Sequence, residues 1–285
     1  MISVVQLGTL DYATGLRLQQ QLVVLRKEEK IGDVLLLLQH KPVITLGRNA
    51  KAANVIASPE VLAQRGVELF ECDRGGDVTF HGPGQIVGYP IFDLRGHARG
   101  AADAPSALRR SLGAVDYVRR LEEVLIRTCA DFAIPTKRVH GLTGVWTENR
   151  EGHDFSRATD GQDGGPALAA EGNERKLAAI GVHISRFVTS HGFALNVNTD
   201  LSYFNMIIPC GITSKPVTSM QRELGREVDL NAVAESISRN FGVVFQSQVL
   251  WVDTLDALLG RSVGVPMKPP AELRQLHRED DTTWA

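Results

Sequence analysis

The segment Arg74-Gly-Gly-Asp-Val-Thr-Phe-His81-Gly-Pro-Gly-Gln85 contains four glycines, one proline and two basic side chains. It lies between two apolar runs, residues 67–70 and 86–92, that are both typical of β-strands. Glycine is used where φ must be positive or where another group must approach the backbone closely. The pattern therefore predicts a loop shaped around a ligand between two strands. A purely structural turn is the alternative, but such a turn has no need of Arg74 and His81.

The composition is that of a globular protein. The chain has 285 residues, of which 43% are hydrophobic, and a formal net charge of −2. This hydrophobic content is sufficient for a sizeable core, and the charge provides no basic field for nucleic acid. No apolar run approaches the roughly 20 residues of a membrane helix, and the first residues resemble neither a signal peptide nor a transit sequence. We therefore expect a soluble cytoplasmic protein that binds neither nucleic acid nor membrane.

Alternation and apolar periodicity predict a mixed architecture. Strands are expected at residues 4–7, 33–39, 43–46, 67–71, 86–92, 143–147, 175–184, 192–197 and 243–245. Helices are expected after Asp11, over residues 59–65, and from Leu230 to a stop at Gly242 with Asp229 as the cap. Hairpins mixed with helical crossovers indicate an α/β fold of the α+β type, with a mixed β-sheet and flanking helices.

A long helix is predicted around the second of three cysteines. Its apolar stripe, with Glu122 outside it, comprises Val115, Val118, Leu121, Leu125, Cys129 and Phe132. Cys129 is therefore expected in the core, where a free cysteine packs as a small hydrophobe. The three cysteines (Cys72, Cys129 and Cys210) form neither a metal-ligand spacing nor an even disulfide set. We expect no metal site.

Cys210 lies in a turn between Pro209 and Gly211, which leaves its sulfur uncrowded. An uncrowded thiol suits a nucleophile. A cysteine buried beside Ile208 is the alternative that this segment leaves open.

Lys176 opens a predicted strand, and period 2 places it on the same face as Ala178, Ile180 and Val182. Such a lysine either reaches solvent at the end of the strand or is partly desolvated. Desolvation allows an amine to exchange protons near neutral pH, and a nearby ammonium favours a thiolate over a thiol. Cys210 and Lys176 form a workable nucleophile and general acid/base pair, provided that the fold brings them together.

Several segments together resemble one enzyme family. The glycine-rich segment followed by Tyr89 looks like the signature of the lipoyl(octanoyl) transferases, or octanoyl-[acyl-carrier-protein]:protein N-octanoyltransferases. Three later segments resemble the family's lysine strand, its next strand and its nucleophile turn: Arg175-Lys176-Leu-Ala-Ala-Ile-Gly181 with His183, His191-Gly192-Phe-Ala-Leu-Asn196, and Pro209-Cys210-Gly211. The match covers roughly residues 1–245 in the right order, which is far more specific than a glycine motif alone.

The resemblance implies a role for each matched position. Cys210 would carry the octanoyl group as a thioester, and Lys176 would lower the thiol's pKa and shuttle protons. Residues implied to bind the substrate are Arg74, Gly75, Gly76, Asp77, Val78, Thr79, Phe80, His81, Ala179, Ile180, Gly181, Gly192, Phe193 and Ala194. His81 and His183 either orient the site or relay protons, or they simply form hydrogen bonds within the sheet. The implied fold is that of the biotin and lipoate protein ligases, and no cofactor is expected.

The implied partners are octanoyl-acyl carrier protein as donor and, as acceptors, the lipoyl domains of 2-oxoacid dehydrogenase complexes and the glycine cleavage H protein. The implied organisation is one catalytic domain over residues 1–250, followed by a C-terminal extension, 251–285, without an assigned role. A mobile insertion is expected at about 150–173, because this segment is polar, lacks periodicity and exceeds the family's usual connection.

Three other functions compete with this interpretation. An ATP-dependent lipoate or biotin ligase on the same fold would activate a free acid as an adenylate, but that chemistry needs no cysteine. A cysteine hydrolase would release the acyl group to water, although no Cys-His-Asn arrangement is evident. A non-catalytic module that only binds acylated carrier protein has no need of both Cys210 and Lys176.

Overall fold

The computed structural model describes residues 1–97, 111–147, 174–209 and 215–255, together with Leu258. Cys210 lies outside the described residues. So does the insertion expected at about 150–173, as does most of the extension expected at 251–285.

The described residues form strands and helices with the following bounds. The strands are β1 (Ile2–Leu10), β2 (Asp33–His40), β3 (Val43–Leu46), β4 (Glu68–Glu71), β5 (Val78–His81), β6 (Gln85–Ile91), β7 (Thr136–Val139), β8 (Leu142–Thr147), β9 (Lys176–Ser185), β10 (Val188–Asn196) and β11 (Val249–Trp251). The helices are α1 (Tyr12–Lys27), α2 (Pro59–Gln64), α3 (Ala114–Asp131), α4 (Met220–Leu224) and α5 (Leu230–Phe245). None of these helices is long and apolar enough to cross a membrane.

The strands form a large mixed sheet and a small one. The large sheet has the order β11-β1-β2-β6-β10-β9-β8-β7, in which β1 runs parallel to both of its neighbours and the other pairs are antiparallel. The small sheet has the order β4-β3-β5. The predicted class, a mixed sheet with flanking helices, is confirmed.

Two hydrophobic cores lie on opposite faces of the large sheet. On one face, α3 and α5 pack with residues such as Leu121 and Ile237 against Leu195 of β10. On the other face, α1 packs with Leu22 against Leu36 of β2. A third, smaller core fills the space behind the small sheet. Because helices cover both faces of the large sheet, a cleft can open only where the large sheet meets the small one.

The sequence predicted that the glycine-rich segment is a loop. In the structure it is not a continuous loop. It contains β5, which pairs antiparallel with β3, so that His81 lies opposite Val43. Val78 and Phe80 are buried in the third core, which leaves Thr79 on the opposite face. Four alternating residues flanked by glycines are too short a run to identify a strand, so the prediction was wrong here.

The predicted hairpin near Lys176 is confirmed as β9 and β10. Its turn consists of Arg186 and Phe187, with φ of 50° and 68°, so the two strands extend further than the predicted bounds of 184 and 192. Two residues of positive φ match the right-handed twist of the strands that they join.

The helix caps were predicted better than the helix ends. Asp11 and Asp229 cap α1 and α5 as predicted. The predicted stop at Gly242 and the strand at 243–245 are wrong, because α5 continues to Phe245. The ring of Phe245 packs against Phe92 and Phe241, and this tertiary contact outweighs the helix-breaking tendency of one glycine.

The predicted stripe of α3 is confirmed at Leu121, Leu125 and Cys129, all fully buried. Burial raises the pKa of the Cys129 thiol to about 12, as expected for a core cysteine. The stripe is wrong at Val115, which is 72% exposed, because α3 begins only one residue earlier. Glu122 was placed outside the stripe but is completely buried.

Glu122 is buried as part of an ionic cluster. Its carboxylate accepts hydrogen bonds from Arg119 (Nη1, 2.7 Å), Arg138 (Nε, 3.0 Å) and the backbone N–H of Gly144 (3.2 Å). The cluster ties α3 to β7 and β8, at the edge of the sheet that includes β9.

Replacing this carboxylate will be costly, because two arginines and one N–H lose their acceptor together. Glu122→Ala is expected to lower the free energy of unfolding by about 3 kcal/mol. The matched control is Glu123→Ala, since the Glu123 side chain is 33% exposed and pairs with Arg127 and Arg138 at the surface. Its expected cost is below about 1 kcal/mol. Urea denaturation measures both, and equal costs would contradict the assignment.

Candidate active site

A cleft lies where the small sheet faces β6, β9 and β10 of the large sheet. It contains about 470 Å³ of empty space, its open mouth included. Its lining residues are Tyr12, Arg74, Gly75, Gly76, Thr79, His81, Val87, Tyr89, Ala179, Ile180, Gly181, His191, Gly192, Phe193 and Ala194. Small side chains on the strands make room for a ligand between the sheets.

Glycines allow the backbones around the cleft to approach one another. The N–H of Gly75 donates to the carbonyl of Val182 on β9, at 3.0 Å. A Cβ atom on Gly181 would lie 2.6 Å from the carbonyl oxygen of Gly75, and one on Gly192 would lie 2.2 Å from that of Gly88. A side chain at Gly181 would push β9 away from the glycine-rich segment, and one at Gly192 would push β10 away from β6.

Arg74 lines the cleft, and its guanidinium holds the glycine-rich segment in place. Its guanidinium donates to the Thr45 hydroxyl from Nε at 3.1 Å and to the Thr45 carbonyl from Nη2 at 2.7 Å. Nη1 donates to the carbonyl of Gly75 at 3.1 Å. Arg74 lines the cleft, and its polar contacts fix the path of the chain on β3.

Three of the predicted binding residues do not line the cleft. Val78 and Phe80 point into the third core, where Phe80 stacks on Tyr203. The Asp77 carboxylate accepts hydrogen bonds from the side chain of Asn54 and the backbone N–H of Lys51. The other predicted binding residues are all brought together at the cleft.

Buried aromatic side chains form one side of the cleft: Tyr12, Tyr89 and His81 line it, and His40 packs against all three. His40 Nε2 and the Tyr89 hydroxyl form a 2.6 Å hydrogen bond, and His81 Nδ1 lies 2.8 Å from Oε1 of Gln85. Burial lowers the pKa of His40 to about 4 and that of His81 to about 3. Both rings are therefore neutral near pH 7, which makes this wall polar but uncharged.

Asp73 joins two further histidines beside the cleft. Its carboxylate contacts Nε2 of His191 at 2.7 Å and Nδ1 of His183, whose other nitrogen lies 3.2 Å from Arg48. The hydrogen bond from His191 holds the pKa of the Asp73 carboxyl well below its usual range, and His183 adds to this effect. His183 thus takes part in a hydrogen-bonded chain that runs from Arg48 through Asp73 to His191.

Lys176 lies in a small cavity that adjoins the cleft. The cavity is lined by Thr79, Gln85, Lys176, Ala179, Ala194, Asn196, Phe204, Pro209 and Val217. It shares Thr79, Ala179 and Ala194 with the cleft. Lys176 is 7% exposed, and its Nζ lies 5.3 Å from the centre of the Trp146 ring. Cys210 is outside the described residues, but its chain neighbour Pro209 lines this cavity.

The predicted face of Lys176 is wrong. Ala178, Ile180 and Val182 pack against the core under α3 and α5, whereas Lys176 lines the cavity on the cleft side. The register between β8 and β9 shifts between Val145 and Trp146, and the adjacent Leu177 and Ala178 both enter the same core. This irregularity interrupts the alternation and turns Lys176 to the cleft side.

The sequence did not identify four residues of the cleft wall as candidates: Tyr12, Val87, Tyr89 and His191. Tyr12 directly follows the cap of α1 and carries no motif that could have indicated it. Tyr89 and His191 stood inside quoted segments, but only the fold shows that they line the cleft.

The sequence profile of the family described as "Lipoyl protein ligase A/B catalytic domain" matches residues 11–242. A protein called octanoyltransferase from Koribacter versatilis is 56% identical over 280 residues, which cover 98% of each chain. The chain belongs to the octanoyltransferase family. Another octanoyltransferase, from Acidobacterium capsulatum, is 52% identical over 261 residues, covering 91% of this chain and 96% of its own. The protein is accordingly an acyltransferase.

Solved structures support the same fold. A bipartite lipoate protein ligase with its E2 lipoyl domain, from Thermoplasma acidophilum, aligns with a TM-score of 0.63 at 11% identity. The alignment covers 96% of this chain and 89% of the other. The predicted lipoate-ligase-like fold is confirmed.

The neutral histidines make stability depend on pH. The folded state holds His40 unprotonated down to about pH 4, whereas an unfolded histidine takes up a proton below about 6.5. The unfolded state therefore binds more protons in this window, so this contribution is complete above pH 6.5 and is lost as the pH falls towards 4. In His40→Gln, the decrease in unfolding free energy between pH 7 and 4 should be about 3 kcal/mol smaller than in wild type.

Chemical denaturation across this pH range measures the effect. The matched control is His140→Gln, because His140 is exposed and should leave the wild-type pH dependence in place. A pH dependence in His40→Gln as steep as that of wild type would contradict the burial argument.

Proposed function

We propose that the protein transfers an octanoyl group from octanoyl-acyl carrier protein to a lysine of a lipoyl domain through a thioester on Cys210. The observation that carries the proposal is that the cleft adjoins a second cavity. Lys176 and Pro209 both line this second cavity, and Pro209 directly precedes Cys210 in the chain.

The cleft suits a medium acyl chain. Ala179, Gly181, Gly192 and Ala194 provide a floor of small residues along two strands. Burying the chain contributes about 0.8 kcal/mol per methylene group, enough to hold the donor without a charged contact. The neutral ring of His81 fits this role, because a protonated ring in the cleft wall would lose its hydration when a hydrocarbon fills the cleft.

Lys176 supplies the proton transfers in the proposed reaction. The Cys210 thiolate attacks the carbonyl carbon of the donor thioester, and collapse of the tetrahedral intermediate releases the carrier thiolate, which takes a proton from the Lys176 ammonium. The acceptor lysine amine then attacks the enzyme thioester. Lys176 takes up the proton lost by that amine as the amide forms and the Cys210 thiolate leaves.

The energetics need no ATP. Exchange of one thioester for another is nearly balanced, and the final amide is more stable than a thioester. Backbone N–H groups near the glycine-rich segment are candidates for stabilising the oxyanion. Arg74 contributes by fixing that segment on Thr45 rather than by contacting the acyl group.

The proposal extends to partners and organisation. The acceptors are the lipoyl domains of 2-oxoacid dehydrogenase complexes and the glycine cleavage H protein, and the enzyme works in the cytoplasm. Residues 1–250 act as one catalytic domain.

The first test is the mass of the intact protein after incubation with octanoyl-acyl carrier protein. Wild type should gain one octanoyl group, and Cys210→Ser should gain none, because it lacks the thiol. The matched control is Cys72→Ser, which should still acquire the group.

Two outcomes would contradict the proposal. One is an octanoyl adduct that persists in Cys210→Ser or disappears in Cys72→Ser. The other is an octanoylated lipoyl domain formed from free octanoate and ATP, which would indicate a ligase.

A further inference from the structure

A chain of three side-chain hydrogen bonds runs from the cleft to the segment that holds Lys176. Nδ1 of His81 lies 2.8 Å from Oε1 of Gln85, and Nε2 of Gln85 donates to Oδ1 of Asn196 at 2.9 Å. Nδ2 of Asn196 donates to the carbonyl of Thr218 at 3.0 Å. The four residues of this chain are between 0% and 6% exposed, so little water competes for their hydrogen bonds.

The donors and acceptors of this chain fit in one arrangement. A backbone carbonyl only accepts, so the amide nitrogen of Asn196 faces Thr218 and its oxygen faces Gln85. The amide nitrogen of Gln85 also donates to the carbonyl of Phe80 at 3.2 Å, which fixes the orientation of Gln85 independently. Gln85 therefore turns its oxygen to His81, and Nδ1 of this neutral ring carries the proton. Gln85 thus holds the Asn196 amide in the orientation that its bond to Thr218 requires.

Thr218 in turn fixes the backbone of Lys176. The N–H of Lys176 donates to the carbonyl of Pro216 at 2.8 Å, and the N–H of Thr218 donates to the carbonyl of Lys176 at 2.9 Å. These two bonds form a parallel bridge at the first residue of β9. The hydroxyl of Thr218 donates to Glu223, and the carbonyl of Thr218 is held by Asn196. The place of Lys176 therefore depends on the place of Thr218.

The fold gathers these residues at the ends of neighbouring strands. Gln85 begins β6 and Asn196 ends β10, where the two residues are direct partners in the strand register. Gln85, Asn196 and Lys176 all line the small cavity that adjoins the cleft, whereas Asn196 does not line the cleft itself. A change at Asn196 therefore reaches Lys176 before it reaches the acyl chain.

We propose that Asn196 is a positioning residue for Lys176. The inference rests on the proposed function, in which Lys176 carries the protons. Asn196 holds the carbonyl of Thr218, and Thr218 holds the backbone of Lys176. Gln85 keeps the Asn196 amide oriented for this task. The position matters because a displacement of about 1 Å in a catalytic group can cost about a hundredfold in rate.

The kinetic test is Asn196→Ala, measured as transfer from octanoyl-acyl carrier protein to a lipoyl domain. The value of kcat should fall at least about tenfold, because Lys176 loses its fixed position. The KM for the donor should stay within about twofold, because Asn196 does not line the acyl cleft.

The matched control is Asn198→Ala, two residues further along the chain. The Asn198 side chain also clamps a backbone, since it bonds the carbonyl and the N–H of Val228 at 2.7 and 3.0 Å. It lines neither the cleft nor the lysine cavity, so this variant should keep the wild-type kcat.

Hydrogen exchange followed by NMR measures the same clamp without the reaction. In Asn196→Ala the N–H of Thr218 should exchange at least about tenfold faster than in Asn198→Ala, because the carbonyl of Thr218 has lost its donor. If Asn196→Ala does not fold, Asn196→Asp replaces it in this measurement. An aspartate has the same shape and still accepts from Gln85, but its carboxylate offers no donor to Thr218, so the same faster exchange is expected.

Three results would overturn the proposal. The first is a kcat of Asn196→Ala within about twofold of wild type, or an equal fall in Asn198→Ala. The second is a loss that appears only in the KM for the donor, which would assign Asn196 to substrate binding. The third is a Thr218 N–H that exchanges no faster than in Asn198→Ala. If wild type transfers no octanoyl group at all, the proposed function fails, and the exchange of this N–H alone decides whether Asn196 holds the backbone of Lys176.

Discussion

The cleft depends on a contact between two stretches of bare backbone. Gly75 donates its N–H to the carbonyl of Val182, and the neighbouring Gly181 presents no side chain to the carbonyl of Gly75. This contact joins the glycine-rich segment to β9, so that the small sheet and the large sheet meet at one edge. A single methyl group at Gly181 would lie 2.6 Å from a backbone oxygen, and the two walls could not keep this separation.

Around that contact, burial and hydrogen bonding limit the charged groups that face the acyl cleft. The guanidinium of Arg74 is occupied by Thr45 and Gly75, and burial keeps His40 and His81 neutral. Lys176 lies in the adjoining cavity, against the ring of Trp146. Such a division suits a reaction in which a hydrocarbon is held at one place and protons move at another.

The sequence was most informative where a local rule decides the structure. The caps Asp11 and Asp229 and the β9–β10 hairpin depend on neighbouring residues, and these elements were predicted correctly. The cleft-facing position of Lys176 could not be predicted, because it depends on a register shift against β8. Strand β5 was missed for a similar reason, since its four residues become a strand only by pairing with β3.

The residues of the candidate site also divide into those that a local pattern predicts and those that only the fold brings together. Motif positions such as Gly181 and Gly192 were found from the sequence because their chemistry is visible in the residue type. Tyr12 belongs to a helix start and Asp73 precedes the quoted segment, so their places beside the cleft arise only from packing between distant elements.

The central claim is that the octanoyl group rests on Cys210 between donor and acceptor. Its most direct test is to isolate the octanoylated protein, remove the donor and mix it with an unmodified lipoyl domain in the absence of ATP. Rapid quenching and mass spectrometry then follow the group. The account predicts that octanoyl-lysine forms at least as fast as steady-state turnover. Slower transfer, or release of octanoic acid with none on the lipoyl domain, would contradict it.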